Sequence, residues 1–230
     1  MTEADMERKL VETGDGSHSL YVASIDEQYH SRHGALQESL HVFIEMGLRA
    51  VPISDEPLRI LEIGFGTGLN ALLTVAALSA RPVRYASVEA FPLTEEEAAA
   101  LNYADLVGDA RAGEWFEWLH RVAWGEWKRL PEVDFELLKM RARIEDFEAT
   151  EPADVVYFDA FAPNKQPELW TEEVFRKMAG LMAPGGLLVT YCAKGAVRRA
   201  MQAAGLEVER LPGPPGKREM LRASKPLAQN

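Results

Sequence analysis

Residues Leu58–Ala80 read LRILEIGFGTGLNALLTVAALSA, an apolar run, a glycine cluster and a second apolar run. The first run, Ile60–Ile63, has the length of a buried strand, whereas the run after the glycines is long enough for a helix. Gly64, Gly66 and Gly68 let the backbone turn sharply and let a ligand approach it closely. The stretch therefore predicts a strand, a tight turn and a helix whose first N–H groups face a ligand.

The next strand adds a feature of nucleotide-binding folds. Val83–Val88 is predicted as this strand, and it ends at Glu89, about 20 residues after the glycines, where such folds place a carboxylate that binds ribose hydroxyls. Phe91 is predicted to lie against adenine or, alternatively, to pack in the core. The glycine cluster alone also fits a purely structural turn, so the position of Glu89 is what favours a ligand site.

A second candidate region follows the fourth predicted strand. Asp154–Asp159 is a near-continuous apolar run between polar residues, which is typical of a central parallel strand. Ligands of open α/β sheets bind beyond the carboxyl ends of such strands. Asp159 and the loop Ala160–Trp170 are therefore the predicted reacting site. Pro163 stiffens this loop, and Lys165 offers a polar contact.

The remaining elements complete an α/β fold. The pattern predicts a third strand at 135–140, a turn at 183–186 before a strand at 187–191, a helix at 197–204, and a terminal hairpin of strands 206–211 and 219–223. We therefore predict a seven-stranded, mostly parallel sheet with one antiparallel strand and with helices on both faces. Residues 58–230 form this core, and residues 1–57 form an N-terminal extension with a lid helix.

The predicted lid helix spans Ala35–Ala50, where apolar residues recur at three- and four-residue steps. Hydrogen-bonding side chains are concentrated just before it and along it. Its histidines lack a recognised metal-ligand spacing, so we predict a polar lid over the cofactor and no metal site.

Four tryptophans, at positions 115, 118, 124 and 127, lie in a predicted helical stretch at 111–130. Tryptophans can stack on nucleic-acid bases. The spacing within each pair favours a buried helix face instead.

The composition limits the function classes. With 230 residues and 47% hydrophobic residues, the chain can bury a full core. The net charge of −11 argues against nonspecific coating of nucleic acid. Residues 194–225 nevertheless carry eight Lys or Arg against three Glu, a net charge of +5, which fits either a solvated face or a phosphate-binding patch.

The same features bear on localisation. The single cysteine, Cys192, cannot form an internal disulfide and is predicted to be a core thiol. The charged amino terminus lacks the apolar segment of a secretory signal, and no run is long enough to span a membrane. These features predict a cytoplasmic protein that does not bind membranes.

The pattern E-x-G-x-G-x-G at Glu62–Gly68 resembles motif I of the class I S-adenosyl-L-methionine-dependent methyltransferases, which implies a Rossmann-like fold and that cofactor. The resemblance places one set of residues around the cofactor: Glu62, Gly64, Phe65, Gly66, Gly68, Asn70, Glu89 and Phe91. Many of these enzymes have Gly-Asp after the third strand to bind adenine. Here Ala142 and Arg143 stand at that point, so Asp146 is expected to take over the contact.

Longer motifs resemble the methyltransferase domain of the MnmC family, bacterial bifunctional enzymes of tRNA 5-methylaminomethyl-2-thiouridine biosynthesis. They are DAFAPNKQPELW at 159–170, PGGLLVTYCAKGAVRRAMQAAGLEV at 184–208, GPPGKREML at 213–221 and, near the amino terminus, GALQESLHVF at 34–43. The resemblance implies that Asp159 is catalytic and also contacts the cofactor, together with Glu38. The residues expected at the substrate are Phe161, Pro163, Lys165, Trp170, Arg198, Arg199, Lys217 and Arg218, the last four through tRNA phosphates.

The resemblance implies N-methylation of 5-aminomethyl(-2-thio)uridine at the tRNA wobble position. The family carries a flavin-dependent oxidase domain after the methyltransferase domain, whereas this chain ends at Asn230. We therefore predict a stand-alone methyltransferase without FAD, and a separate enzyme that supplies the aminomethyl tRNA. Two alternatives stay open, namely a methyltransferase of a small-molecule amine or hydroxyl and a non-catalytic partner protein that binds the cofactor.

Overall fold

The structure is a computed structural model that describes residues 6–52, 54–78, 81–149 and 151–227. Its strands are β1 (Arg8–Glu12), β2 (His18–Val22), β3 (Glu27–Gln28), β4 (Leu58–Ile63), β5 (Val83–Glu89), β6 (Lys128–Arg129), β7 (Phe135–Arg141), β8 (Ala153–Phe158), β9 (Met182–Thr190), β10 (Glu207–Pro212) and β11 (Glu219–Ser224). Its helices are α1 (Ala35–Ser39), α2 (Leu69–Ala76), α3 (Glu95–Ala99), α4 (Tyr103–Leu106), α5 (Ala112–Arg121), α6 (Glu172–Leu181) and α7 (Gly195–Ala203). Residues 1–5 of the predicted extension, residues 79–80 of the glycine stretch and the last three residues of the predicted core lie outside the described residues.

The main sheet has the order β10-β11-β9-β8-β4-β5-β7-β6. Strands β9, β8, β4, β5 and β7 pair in parallel, and β11 runs antiparallel to both β9 and β10. The α/β fold class, the one antiparallel strand within the seven from β10 to β7 and the terminal hairpin are thereby confirmed. The strand count was one too low, because the two-residue β6 pairs antiparallel with the outer edge of β7. So short a run has no periodicity to detect.

Helices cover both faces of this sheet because the central strands are apolar on both sides. In β8, Val155 and Tyr157 belong to one apolar cluster, together with residues of α2 and α5. Val156 and Phe158 belong to the other, together with residues of α6 and α7. This alternation is the period-two pattern of a strand buried between two layers.

Two predictions about local structure were wrong. The helix α5 ends at Arg121, where the buried Lys139 ammonium donates hydrogen bonds to the carbonyl oxygens of Leu119 and His120, so Trp124 and Trp127 lie beyond the helix. Residues 183–186 belong to β9 itself and do not precede it. The register of β8 with β9 shifts between Ala153 and Val155, which accommodates the two glycines within the strand.

The N-terminal region has more regular structure than expected. Strands β1, β2 and β3 form a small antiparallel sheet of their own. The predicted helix Ala35–Ala50 consists of α1, a π-helical segment at Leu40–Glu45 and a 3₁₀ turn at Leu48–Ala50. Phe43 and Ile44 on its apolar side are buried, with Phe43 against Tyr157 of the main sheet, whereas Leu40 is exposed. In the parts of the chain that the structure describes, no helix is both long and apolar enough to cross a membrane.

Candidate functional site

A pocket lies at the carboxyl ends of β4, β5, β7 and β8, where the sheet geometry predicts one. It contains about 940 Å³ of empty space, a volume that includes the part open to solvent. The predicted cofactor residues in its wall are Gly64, Phe65, Gly66, Asn70, Glu89, Phe91 and Asp159. Segments far apart in the sequence thus meet at one site.

The glycine turn has the backbone conformation that the sequence predicts. Gly64, Gly66 and Gly68 have φ angles of 91°, 53° and 74°, in the region that favours glycine. A Cβ at Gly64 would lie 2.7 Å from the carbonyl oxygen of Asp159. The absence of a side chain there lets the turn and the Asp159 loop meet at the floor of the pocket.

The Glu89 carboxylate holds the turn in place. One oxygen accepts the N–H of Gly66 at 2.9 Å, and the other accepts the N–H of Phe91 at 2.7 Å. The side chain is only partly buried and lines the pocket. A carboxylate oxygen has more than one acceptor position, so Glu89 can bind ribose hydroxyls while it keeps both backbone contacts.

Asp159 follows β8 directly and lines the same pocket beside Asn70. The Asn70 amide donates to a carboxylate oxygen of Asp159 at 2.9 Å. Burial raises the pKa of Asp159 to about 7, although the Asn70 hydrogen bond and the nearby Lys217 ammonium act in the opposite direction. A carboxyl group with this pKa can accept or release a proton near neutral pH.

Glu62 lies beneath the pocket and is absent from the lining residues. Its side chain is fully buried in β4, and one of its oxygens accepts the Ser87 hydroxyl at 2.6 Å. Burial raises the pKa of Glu62 to about 8. The neutral form carries an O–H donor, and the nearby Asn70 side-chain oxygen has no hydrogen-bond partner among the described residues. The position of Glu62 favours an indirect role through Asn70 over direct cofactor binding.

We expect Glu62→Gln to be less sensitive to alkaline pH than the parent protein. The raised pKa means that the folded protein keeps this proton at a pH where the unfolded chain has lost it. The resulting stability is fully present below about pH 4.5 and is lost as the pH rises through about 8, at roughly 1.4 kcal/mol per pH unit. Glutamine is neutral throughout, so the variant should lack this loss.

Urea unfolding of both proteins from about pH 5 to about pH 9 measures the difference in the free energy of unfolding. Glu114→Gln, at an exposed position of α5, is the control and should follow the parent curve. Parallel curves for Glu62→Gln and the parent would contradict a neutral, buried Glu62.

Part of the pocket wall comes from the N-terminal region, including Tyr29 of the polar segment before the predicted lid helix. Met6 and Tyr29 line the pocket. The buried Arg8 guanidinium donates to the Tyr29 hydroxyl at 2.9 Å, to the Phe91 carbonyl oxygen at 2.6 Å and to the Glu97 carboxylate. The N-terminal sheet is thereby fixed to the loop that follows Glu89. The lid role of the helical segment Ala35–Ala50 stays a prediction.

Two histidines lie near the glycine turn. His30 lines the pocket and lies 3.4 Å from the Thr67 hydroxyl, and His120 lies 3.1 Å from the Thr67 carbonyl oxygen. Burial lowers the pKa of each to about 4, so both are neutral at physiological pH. Among the described residues, no group of three or more His, Cys, Asp or Glu could hold a metal ion.

The loop residues expected at the substrate have different positions. Phe161 lines the pocket and makes an edge-to-face contact with the Tyr29 ring, with the ring centroids 5.0 Å apart. Trp170 is buried, and its indole N–H donates to the Phe161 carbonyl oxygen, so it supports the loop from below. Pro163 and Lys165 are not among the lining residues, and Lys165 pairs with Asp26 at 3.6 Å.

The remaining predicted site residues lie outside the pocket wall. Glu38 is buried and contacts the Lys217 ammonium. Arg198 and Arg199 lie on α7, and Arg199 is exposed, as is Arg218 in the loop between β10 and β11. Asp146 is exposed and absent from the lining, whereas its neighbours Ala142, Arg143, Ile144 and Glu145 all line the pocket. The adenine contact of Asp146 stays a prediction, and Ile144 is the buried apolar side chain that this segment gives to the pocket wall.

The pocket residues fit the adenosyl cofactor expected from the sequence. The glycine turn brings backbone atoms into the pocket wall, Glu89 is a partner for ribose hydroxyls, and Val88, Ile144 and Leu169 offer apolar surface to a purine. Cys192 and Lys139 are buried and lie outside the pocket wall, and the Lys139 ammonium is 5.3 Å from the centroid of the Phe65 ring in that wall.

Comparisons with known proteins point in the same direction. A family model described as "S-adenosyl-L-methionine-dependent methyltransferase" matches residues 115–226. The "tRNA 5-methylaminomethyl-2-thiouridine biosynthesis bifunctional protein MnmC" of Cupriavidus necator is 36% identical over 223 residues, 89% of this chain and 32% of that protein. Its counterpart in Cupriavidus metallidurans is 34% identical over 87% of this chain and 31% of that protein. This chain thus spans about a third of the length of these relatives.

The crystal structure of MNMC2 from Aquifex aeolicus superimposes with a TM-score of 0.76 at 27% sequence identity. The superposition covers 97% of this chain and 73% of the other. It includes both the main sheet and the N-terminal region, since so large a share of the chain is aligned.

Proposed function

Because the chain is a homologue of the MnmC proteins and a S-adenosyl-L-methionine-dependent methyltransferase, we propose that it N-methylates 5-aminomethyl(-2-thio)uridine at the wobble position of tRNA. The observation that carries the proposal is the Asp159 carboxyl group, which lies in the wall of the cofactor pocket and is held there by the Asn70 amide at 2.9 Å. A carboxyl group at this position can accept a hydrogen bond from an acceptor amine and orient it for methyl transfer.

The cofactor supplies an electrophilic methyl group when it is bound. Glu89 and the glycine turn would hold its nucleoside part, and the apolar wall around Ile144 would receive the base. Asn70 orients the Asp159 carboxylate through the 2.9 Å hydrogen bond. These contacts leave the second oxygen of Asp159 available to a substrate amine.

The acceptor amine must lose a proton before it can react. A primary alkylamine has a pKa near that of lysine, roughly 10, and is mostly protonated at neutral pH. Asp159 accepts a hydrogen bond from the acceptor amine and thereby orients the amine nitrogen towards the methyl carbon of the cofactor. It receives the proton of the amine directly or through water. The carboxylate also favours the protonated amine electrostatically, so orientation is a large part of its effect.

Mass spectrometry of tRNA nucleosides tests the proposal. Purified protein is incubated with the cofactor and with tRNA that carries 5-aminomethyl-2-thiouridine, and digestion should yield the methylaminomethyl nucleoside. The same tRNA without the aminomethyl group is the control. Methylation of both tRNAs would overturn the proposal, because another group of the tRNA would then be the acceptor. Methylation of neither would overturn it and favour a small-molecule amine or hydroxyl.

We also propose that the exposed arginines on α7 and the β10–β11 loop contact tRNA phosphates. If so, tRNA affinity falls as salt rises, and Arg199→Gln with Arg218→Gln reduces the slope of log affinity against log salt by roughly one unit per lost contact. Filter binding at several salt concentrations measures the slope. Arg129→Gln, on β6 at the opposite edge of the sheet, should leave it unchanged. A tRNA affinity independent of salt would contradict the phosphate contacts.

A further inference from the structure

A polar cluster next to the pocket consists of Glu38, Tyr191 and Lys217. The Lys217 ammonium contacts a carboxylate oxygen of Glu38 and lies 4.0 Å from the centroid of the Tyr191 ring. The Glu38 side chain is 8% exposed, whereas Lys217 is 31% exposed. None of the three is among the described residues of the pocket wall. The cluster is therefore a feature separate from the wall of the cofactor pocket.

This cluster borders the reacting carboxyl group. The Tyr191 hydroxyl donates to the carbonyl oxygen of Ala160, the residue after Asp159, at 2.8 Å. Glu38 and Lys217 both act electrostatically on Asp159. A charge held between Glu38 and Tyr191 is thus close enough to affect the group that is proposed to meet the acceptor amine.

The cluster has the chemistry of a site for an alkylammonium ion. A buried carboxylate gives a strong charge-assisted hydrogen bond, and the face of an aromatic ring attracts a cation. Lys217 fills these contacts with the same chemical group as a substrate aminomethyl, a primary ammonium on a methylene carbon. Glu38 itself is anchored, because it accepts the backbone N–H of Ser31 at 3.0 Å through its other oxygen.

The two partners differ in how easily they can move. Glu38 lies in α1 and is buried, so its carboxylate stays in place. Lys217 follows Gly216 in the loop between β10 and β11, and its side chain is long and partly exposed. An ion pair of this kind separates by movement of the lysine alone.

We propose that Glu38 and Tyr191 bind the acceptor's alkylammonium group before the amine reaches Asp159, and that the Lys217 ammonium fills this site until the substrate displaces it. The inference rests on the amine acceptor proposed above. The exchange replaces one cation by another, so the buried Glu38 carboxylate is never left without a partner. An RNA without the amine has no cation that can replace the Lys217 ammonium. The enzyme should therefore bind the aminomethyl nucleoside in preference to the plain one.

Binding of two synthetic anticodon stem-loops tests this proposal. They are identical except for a 5-aminomethyl group on the wobble uridine, and the protein is saturated with S-adenosyl-L-homocysteine, which has no methyl group to transfer. In Lys217→Met we expect the affinity ratio of the amine-bearing to the plain RNA to rise about tenfold, since the competing cation is gone. In Glu38→Gln the ratio should fall towards one.

Arg218→Met is the matched control for the loss of one positive charge in the same loop. It should weaken the binding of both RNAs equally and leave their affinity ratio unchanged. If Lys217→Met behaves in the same way, Lys217 is a phosphate contact and the proposal is overturned. A preference for the amine that survives Glu38→Gln would overturn it as well.

A second measurement needs no RNA. Ethylammonium chloride should raise the melting temperature of Lys217→Met more than potassium chloride does at equal concentration, and Glu38→Gln in the same background should abolish the difference. If ethylammonium stabilises Lys217→Met but the protein does not methylate aminomethyl tRNA, the cation site is supported and the proposed tRNA function is refuted. Methylation without stabilisation and without a change in the affinity ratio would refute the cation site alone.

Discussion

Asp159→Asn is expected to lower the rate of methyl transfer by about a hundredfold or more while the protein stays folded and binds its cofactor. Asparagine keeps an oxygen that can accept the Asn70 hydrogen bond, so the loop should hold its position. It cannot take a proton from the acceptor amine, and it offers no negative charge to orient one.

The pH dependence separates this role from a structural one. Since burial raises the pKa of Asp159 to about 7, kcat/KM of the parent should rise as the pH increases through this value, because the carboxylate is the active form. The ionisation of the amine adds a second rise at higher pH. In Asp159→Asn the rise near 7 should be absent, and only the one that belongs to the amine should remain.

Single-turnover assays across this pH range, together with calorimetric titration of the cofactor, provide the readouts. Asn164→Ala, at an exposed position of the same loop, is the control for a general disturbance of that loop. Normal turnover in a folded Asp159→Asn protein would remove Asp159 from the mechanism. A low melting temperature with normal turnover would indicate that Asp159 only stabilises the loop.

Glu89→Ala is expected to weaken cofactor binding by roughly 1–3 kcal/mol, or about five- to 150-fold. The substitution removes the predicted ribose contact. It also removes the acceptor for two backbone N–H groups, those of Gly66 and Phe91, so the glycine turn loses its anchor. Both losses act on the same pocket, which places this effect among the largest expected for a single residue.

A second ligand distinguishes the two losses. S-adenosyl-L-homocysteine and its 2′-deoxy analogue are titrated calorimetrically into the parent protein and into Glu89→Ala. If Glu89 binds the ribose, the deoxy analogue binds more weakly than the normal ligand to the parent and about equally to the variant. Glu95→Ala, in the exposed first turn of α3, is the control and should bind as the parent does. An unchanged affinity in Glu89→Ala would contradict its placement at the cofactor.

Several features could be derived from the sequence because their causes are local. The turn at Gly64–Gly68 follows from residues that adopt positive φ without strain, and the position of Glu89 follows from strand length. The strand before Asp159 shows its buried position in its own apolar run. Since parallel strands place their carboxyl ends together, these local features suffice to predict that the segments meet at one edge of the sheet.

Tertiary packing decided the remaining features, because nothing local distinguishes them. Trp170 and Phe161 lie in the same motif, yet one is buried under the loop and the other lines the pocket. Arg8 contacts Phe91 and Glu97 across more than 80 positions of the chain, and no periodicity predicts such a contact. Glu38 and Lys217 are 179 positions apart, and only the fold brings the carboxylate, the ammonium and the Tyr191 ring together. The sequence by itself thus determined the fold class and the edge of the sheet that carries the site, since backbone conformation and burial are encoded locally. Which side chains face the ligand was decided by the tertiary structure, because it depends on contacts between elements that are distant in the sequence.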